Sequence, residues 1–224
     1  MDKYQFLKEE ERLDYTLQTL NEEVLNYIEK RKEIANYILD YRKNFIEEHK
    51  DDEDALMEYF DHERYVKEEY YKQIDKKLME LTKLKETPYF GKVIFSDEDD
   101  CQEEIYVGRY GLTKDATFEN IIIDWRAPIA SLFYKGSLGP ATYKTPDGEL
   151  PADILARRQF VIKKGSLQGY FDSEVDVKDE ILQMILSSNS GEKLKDIVMT
   201  IQQEQDDIIR EERMKVVVVN GVAG

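Results

Sequence analysis

The sequence predicts an α+β protein: a long antiparallel helical hairpin, a small β-rich module, and a closing helix and strand that lead into a glycine turn. Three observations predict it. Residues 1–87 contain neither proline nor glycine. Residues 88–178 alternate short β-branched and aromatic runs with Gly, Pro and Asp breaks. The chain then closes, within residues 179–224, on four consecutive valines and "NGVAG".

The first stretch is dense in Glu, Lys, Leu, Ile and Tyr, which is helix composition. Its apolar positions fall on two interleaved series, Leu13, Leu20, Tyr27, Ile34, Tyr41 and Leu17, Val24, Arg31, Ile38, Phe45. Spacings that alternate between three and four specify a narrow seam of coiled-coil type. After the acidic break "EEHKDDED" the pattern resumes with Leu56, Phe60, Tyr70, Ile74, Leu78 and Leu81. A stripe needs a partner, and a second helix after a short turn supplies one as an antiparallel neighbour. A first helix of about 40 residues would span on the order of 60 Å. The alternative is a pair of helices from an ordinary bundle, favoured by aromatic residues outside the seam: Tyr37, Tyr59, Tyr65 and Tyr71.

At "ETPYFGKVIF" the grammar changes, because Pro88 stops a helix and Gly91 frees a turn. Strands are expected at 92–95, 105–110, 117–124, 132–134, 158–163 and 167–171, with "TPDGEL" as a turn. From Asp179 helix returns in two pieces, "DEILQMILSS" and "EKLKDIVMTIQQEQDDIIREER", the second feeding the valines. Val216 to Val219 do not alternate, as expected of a strand buried on both faces. Gly221 then fits the first glycine of a phosphate-binding loop. A turn glycine after a buried strand is the plain alternative. A chain that stops at this point reads as a fragment.

The net charge is −16 and the mean hydropathy −0.64. So acidic a segment is a poor grip for nucleic acid, whose binding is dominated by Lys and Arg, but is suited to a partner with a basic groove. The single cysteine, Cys101, excludes an internal disulfide. His49 and His62 have no supporting ligand pattern, so no metal site is expected. The N-terminus lacks the apolar core of a signal peptide, and no stretch approaches ~20 apolar residues. A cytoplasmic protein without membrane contact is expected. The β-rich module shows no Ser-His-Asp, Cys-His or paired-carboxylate constellation at catalytic spacing.

Three stretches, "TPYFGKVIF", "IYVGRYGLTKDATFENIIIDWRAPIASLFY" and "TIQQEQDDIIREERMKVVVVNGVAG", together resemble the N-terminal part of the HelD family of UvrD-like superfamily 1 ATPases that act on RNA polymerase. The middle stretch is the most specific. Asp124, Trp125, Arg126 and Pro128 carry its family motif and are assigned a structural role, Trp125 by packing and Arg126 by pairing with a carboxylate.

The resemblance implies that Gly221 and Gly224 open a Gly-x-x-Gly-x-Gly-Lys-Thr loop of a RecA-like motor domain, cut before its lysine. The full-length parent would bind ATP with magnesium and hydrolyse it. The fragment would do neither. Gln205 stands at the glutamine position of a Q motif, where a side-chain amide pairs with both adenine N6 and N7. It also reads as a solvated helix residue.

For the hairpin, the resemblance implies an arm that enters the secondary channel of RNA polymerase core. Glu47, Glu48, Asp51, Asp52, Glu53 and Asp54 give it an acidic tip, suited to basic side chains or magnesium. Asp51 to Asp54 read equally as the capped start of a second helix. The hairpin is shorter than the family's arms, which leaves its depth of insertion open. DNA or RNA would be engaged by the parent's further motor domains, and the fragment itself is expected to be monomeric. A conventional superfamily 1 DNA helicase with a structural insertion, or a self-associating coiled coil, are the competing readings.

Overall fold

A computed structural model describes residues 3–50, 62–97, 100–135, 138–146 and 148–172, with the single positions Ile208, Arg210, Val216 and Val218. The fold is α+β, with a long N-terminal helix and a mixed β-sheet. The chain divides into two compact units, residues 1–88, 112–121 and 162–167 in one and residues 89–111, 122–161 and 168–224 in the other.

The first unit is built on α1 (Lys3–Glu48) and α2 (His62–Leu84). With no helix breaker in its sequence, α1 runs for 46 residues, roughly 70 Å. The predicted seam is its covered face. Leu13 and Leu20 are buried, and Val24, Tyr27, Ile34, Ile38, Tyr41 and Phe45 are half-buried. Beyond Glu23 no residue of α1 is fully buried. Arg31 meets Tyr71 Oη at 3.1 Å and Asp75 at 2.8 Å, Lys67 lies 5.0 Å over the Tyr37 ring, and Arg42 meets Glu68 at 3.0 Å. These partners run antiparallel. On α2, Tyr71 rather than Tyr70 joins Ile74, Leu78 and Leu81 on the covered face, and Tyr70 is 43% exposed. The reason is spacing: steps of three, four and three from Tyr71 hold one face, whereas successive steps of four from Tyr70 drift off it.

A polar cluster ties α1 to the hairpin of β3 (Leu112–Lys114) and β4 (Glu119–Asp124). Buried Glu23 accepts the Asp115 backbone N–H at 3.1 Å. Asn26 reaches both carboxylates at 3.4 Å, and Lys30 Nζ meets Asp115 at 2.7 Å. Arg12 donates to the Ile121 carbonyl at 3.1 Å. The hydrogen bond to Asp115 raises the Lys30 pKa above its usual 10.5, and burial raises that of Tyr27 above 10.0. Both groups are thus held protonated by the fold, so their stabilisation is complete below about pH 10 and is lost as pH rises through the raised values. Denaturant titrations from pH 8 to 11.5 should show a shallower alkaline loss for the Lys30→Met, Tyr27→Phe double variant than for wild type. Equal slopes would remove this pair from the cause.

The second unit is organised around β1 (Gly91–Ser96), which pairs antiparallel with β2 (Gln102–Gly108) on one side and β6 (Gly148–Lys163) on the other. With β5 (Gly139–Thr145) and β7 (Ser166–Asp172), the strand order is β3-β4-β2-β1-β6-β5, and β7 pairs with β6. The β2–β4 pair is parallel, which makes the sheet mixed. One face of β1 and β2 buries Val93, Phe95, Ile105 and Val107 in a core with Ala130, Leu132, Phe133, Tyr134, Ala152 and Ile154. Their alternation along the strands is the period of two that aims every second side chain at one face. On the alternate positions Lys92, 4% exposed, meets Glu104 at 2.9 Å and lies 5.0 Å over the Tyr106 ring.

The predicted strand at 132–134 is instead helical. Pro128 starts a 3-10 turn (Pro128–Ala130) that runs directly into α3 (Ser131–Tyr134), all four of whose residues are buried. Proline fixes a helix-compatible φ at the first position, and an unbroken apolar run of this length is read equally well as one helical turn. β5 went unanticipated because "GPATYKT" carries small and polar residues and none of its side chains is fully buried. The "TPDGEL" turn joins β5 to β6, with Gly148 at φ 137°.

Val216 and Val218 lie outside any strand and are 77% and 79% exposed, contrary to the expected buried strand. No described strand pairs with them, and a run that must be covered on both faces gains nothing without neighbours. The two helical pieces expected from Asp179 fall outside the described residues, except that Ile208 is helical.

Candidate functional site

Chain geometry brings Asp124, Trp125, Arg126 and Pro128 into one compact turn at the end of β4. Trp125 N–H donates to the Gly108 carbonyl at 2.9 Å, continuing the register of the parallel pair. Asp124 shapes the turn with its side chain. Its Oδ1 accepts the Arg126 backbone N–H and the Arg126 Nε–H, both at 2.8 Å, and its Oδ2 accepts Nη2–H at 2.6 Å. A carboxylate that accepts from a backbone N–H two residues on makes an Asx-type turn, and the bidentate guanidinium holds the carboxylate in that orientation. Ala127 N–H donates to the Asp124 carbonyl at 2.9 Å, and Pro128 has no N–H to place. Trp125 is half-buried and packs against the sheet core.

A residue not singled out in the sequence completes the turn. The Arg210 guanidinium donates from Nη2 to the Trp125 carbonyl at 2.7 Å and from Nη1 to the carbonyls of Arg126 and Ala127 at 3.2 and 3.3 Å. The only sequence signal was its place in "DDIIREER", a basic residue in an acidic stretch that already carried part of the family resemblance.

Elsewhere in the unit, Arg157 is half-buried and donates to the carbonyls of Phe133 and Lys135, and burial lowers its pKa. Arg158 meets Asp172 at 2.6 Å and covers the Tyr170 ring at 4.0 Å. These contacts join protein groups to each other.

Glu47 and Glu48 are exposed at the C-terminal end of α1, whose last turn contains no basic residue. Carboxylates there oppose the negative end of the helix dipole, at a cost of roughly 0.3–1 kcal/mol each. His49 comes next, stacked on Phe45 at 4.2 Å between ring centroids, with its backbone N–H on the Phe45 carbonyl at 3.1 Å. Asp51, Asp52, Glu53 and Asp54, and the proposed nucleotide residues Gln205, Gly221 and Gly224, lie outside the described residues. Among the described residues there is no group of three His, Cys, Asp or Glu placed to hold a metal ion, and no helix is long and apolar enough to cross a membrane.

A paired set of long helices, a mixed sheet and a motif turn locked by its own carboxylate define an α+β module whose polar clusters are knit into its backbone. The family model of the N-terminal domain of DNA helicase IV HelD matches residues 6–185. The chain belongs to the HelD family and is part of a HelD-type helicase. No curated protein matches it.

Proposed function

We propose that this chain is the N-terminal region of an ATP-dependent, UvrD-like motor that binds RNA polymerase core and releases or recycles it from nucleic acid. The observation that carries the reading is the HelD N-terminal match over residues 6–185, in which α1 beyond Glu23 is covered only along one stripe. That is the burial pattern of a two-helix coiled-coil arm rather than of a bundle helix, which is covered on a wider face. The acidic end of α1 supports a role at the polymerase secondary channel. Glu47 and Glu48 sit where they weaken their own helix, so helix capping does not account for them.

In this reading Asp51, Asp52, Glu53 and Asp54 continue the acidic tip toward basic side chains or magnesium of the polymerase. Gln205 selects adenine, while Gly221 and Gly224 begin the loop that cradles the phosphates of magnesium-bound ATP in the parent. Hydrolysis belongs to that parent, in a cytoplasmic setting. Self-association through the seam is disfavoured, because α2 of the same chain covers it.

The test is fluorescence anisotropy of the labelled chain with core RNA polymerase. Wild type should bind, and a variant with Asp51, Asp52 and Asp54 changed to Asn and Glu53 to Gln should bind about tenfold more weakly at low salt, with circular dichroism unchanged. No binding at micromolar polymerase would overturn the proposal. Salt-sensitive unwinding of a partial duplex by the parent, without polymerase binding, would establish the conventional helicase reading.

A further inference from the structure

We propose that the backbone turn Trp125–Ala127 is a receptor for Arg210, and that Arg210 is a positioning residue through which the β module sets the nucleotide-binding segment. The nucleotide part rests on the proposed roles of Gln205, Gly221 and Gly224; the receptor itself rests on geometry alone.

The turn's own donors are spent before Arg210 arrives. Trp125 N–H is on Gly108 and Ala127 N–H on the Asp124 carbonyl, while Arg126 N–H is on the Asp124 carboxylate. What the turn presents outward is three successive carbonyls, of Trp125, Arg126 and Ala127, converging within 2.7–3.3 Å of one guanidinium. Convergent carbonyl oxygens form a patch of partial negative charge that calls for a cation with several donors in a fixed fork. Arginine meets that demand, and lysine, a point charge on a flexible stem, meets it less well.

The neighbouring arginine is removed from competition. Arg126 is turned onto Asp124 through two hydrogen bonds, so its guanidinium serves the side chain that shapes the turn. Asp124 therefore acts twice, fixing the turn and holding a second cation off the carbonyls. This gives the Asp124-Trp125-Arg126 motif a reason to exist that core packing alone does not supply.

Position in the chain supplies the consequence. Arg210 comes soon after Gln205 and precedes the Val216–Gly224 stretch. A clamp at Arg210 restrains both flanks, so whatever moves the turn changes how well the adenine and phosphate groups are met. Trp125, the only tryptophan, stands inside the receptor and reports on it.

The experiment has two readouts on wild type, Arg210→Lys and Arg210→Ala. In this chain, acrylamide quenching of Trp125 should increase about twofold in Arg210→Ala and to an intermediate degree in Arg210→Lys, with far-UV circular dichroism unchanged. Quenching identical in all three overturns the receptor. In the full-length parent, Arg210→Ala should raise the KM for ATP roughly tenfold with kcat changed much less, and Arg210→Lys should recover part of the loss. Unchanged KM alongside changed quenching would overturn the positioning role and leave the receptor. A wild-type parent that neither binds nor hydrolyses ATP would overturn the nucleotide reading itself, a result distinct from either of the other two.

Discussion

Leu20→Ala is expected to destabilise the chain by about 2–5 kcal/mol, while Ile38→Ala, on the same helix and the same seam, costs half of that or less. The two positions share the seam and differ in cover. Leu20 is 0% exposed, in the stretch of α1 that also buries Leu13, Thr16 and Thr19. Ile38 is half-buried, where α1 beyond Glu23 has its stripe covered and the rest of its surface in water. Removing Leu20 side-chain atoms leaves a cavity that the surrounding residues fill only in part. At Ile38 solvent occupies much of the vacated space, so only the transfer term is lost. Urea denaturation of the two variants measures the contrast. Equal losses would mean that the distal part of α1 is packed as deeply as the proximal part, which would undermine the arm reading.

Gly91→Ala should rank close behind, at about 1–3 kcal/mol, or a fall in Tm of roughly 2–12 °C. A Cβ at position 91 would lie 2.4 Å from Phe133 Cε2 and 2.6 Å from Cζ. Something must move, and neither party is free to do so. Gly91 is on the central strand, in register with Val107 on one side and Gln159 on the other. Phe133 is buried and meets Phe90 and Tyr134 edge-on at 5.7 and 5.3 Å. The second-site variant Phe133→Leu in the Gly91→Ala background should recover part of the loss. If Gly91→Ala alone proves neutral by thermal denaturation, the ring does not stand over the strand.

Both of these residues show what a sequence makes legible and what it hides. The seam of α1 was readable because a narrow stripe repeats in steps of three and four over many turns, and no tertiary contact is needed to see it. Gly91 was visible only as a turn former. Its actual work is to let an aromatic ring from a distant segment lie on the strand, and nothing in "YFGKVIF" names that ring. α3 was misread because "SLFY" has no period long enough to separate a helical turn from a short strand. Arg210 was hidden for a different reason. Its partners are backbone carbonyls, which every residue possesses, so no pattern of side chains at the turn announces a cation receptor. Asp124 and Arg126, in contrast, are near neighbours in sequence and make their contact locally, and a carboxylate–guanidinium pair at that spacing is what residue chemistry alone suggests.

The pairing of β1 carries a consequence for how the chain is made. Its β2 neighbour emerges soon after it, but its other neighbour, β6, is synthesised only after β2, β3, β4 and β5 have appeared. Through that interval of translation the most apolar strand of the sheet has one row of peptide groups open, with Val93 and Phe95 awaiting the residues that cover them. Nascent chains stalled or cleaved before residue 153 would therefore be the species that aggregate, and chaperone demand would fall once β6 clears the ribosome.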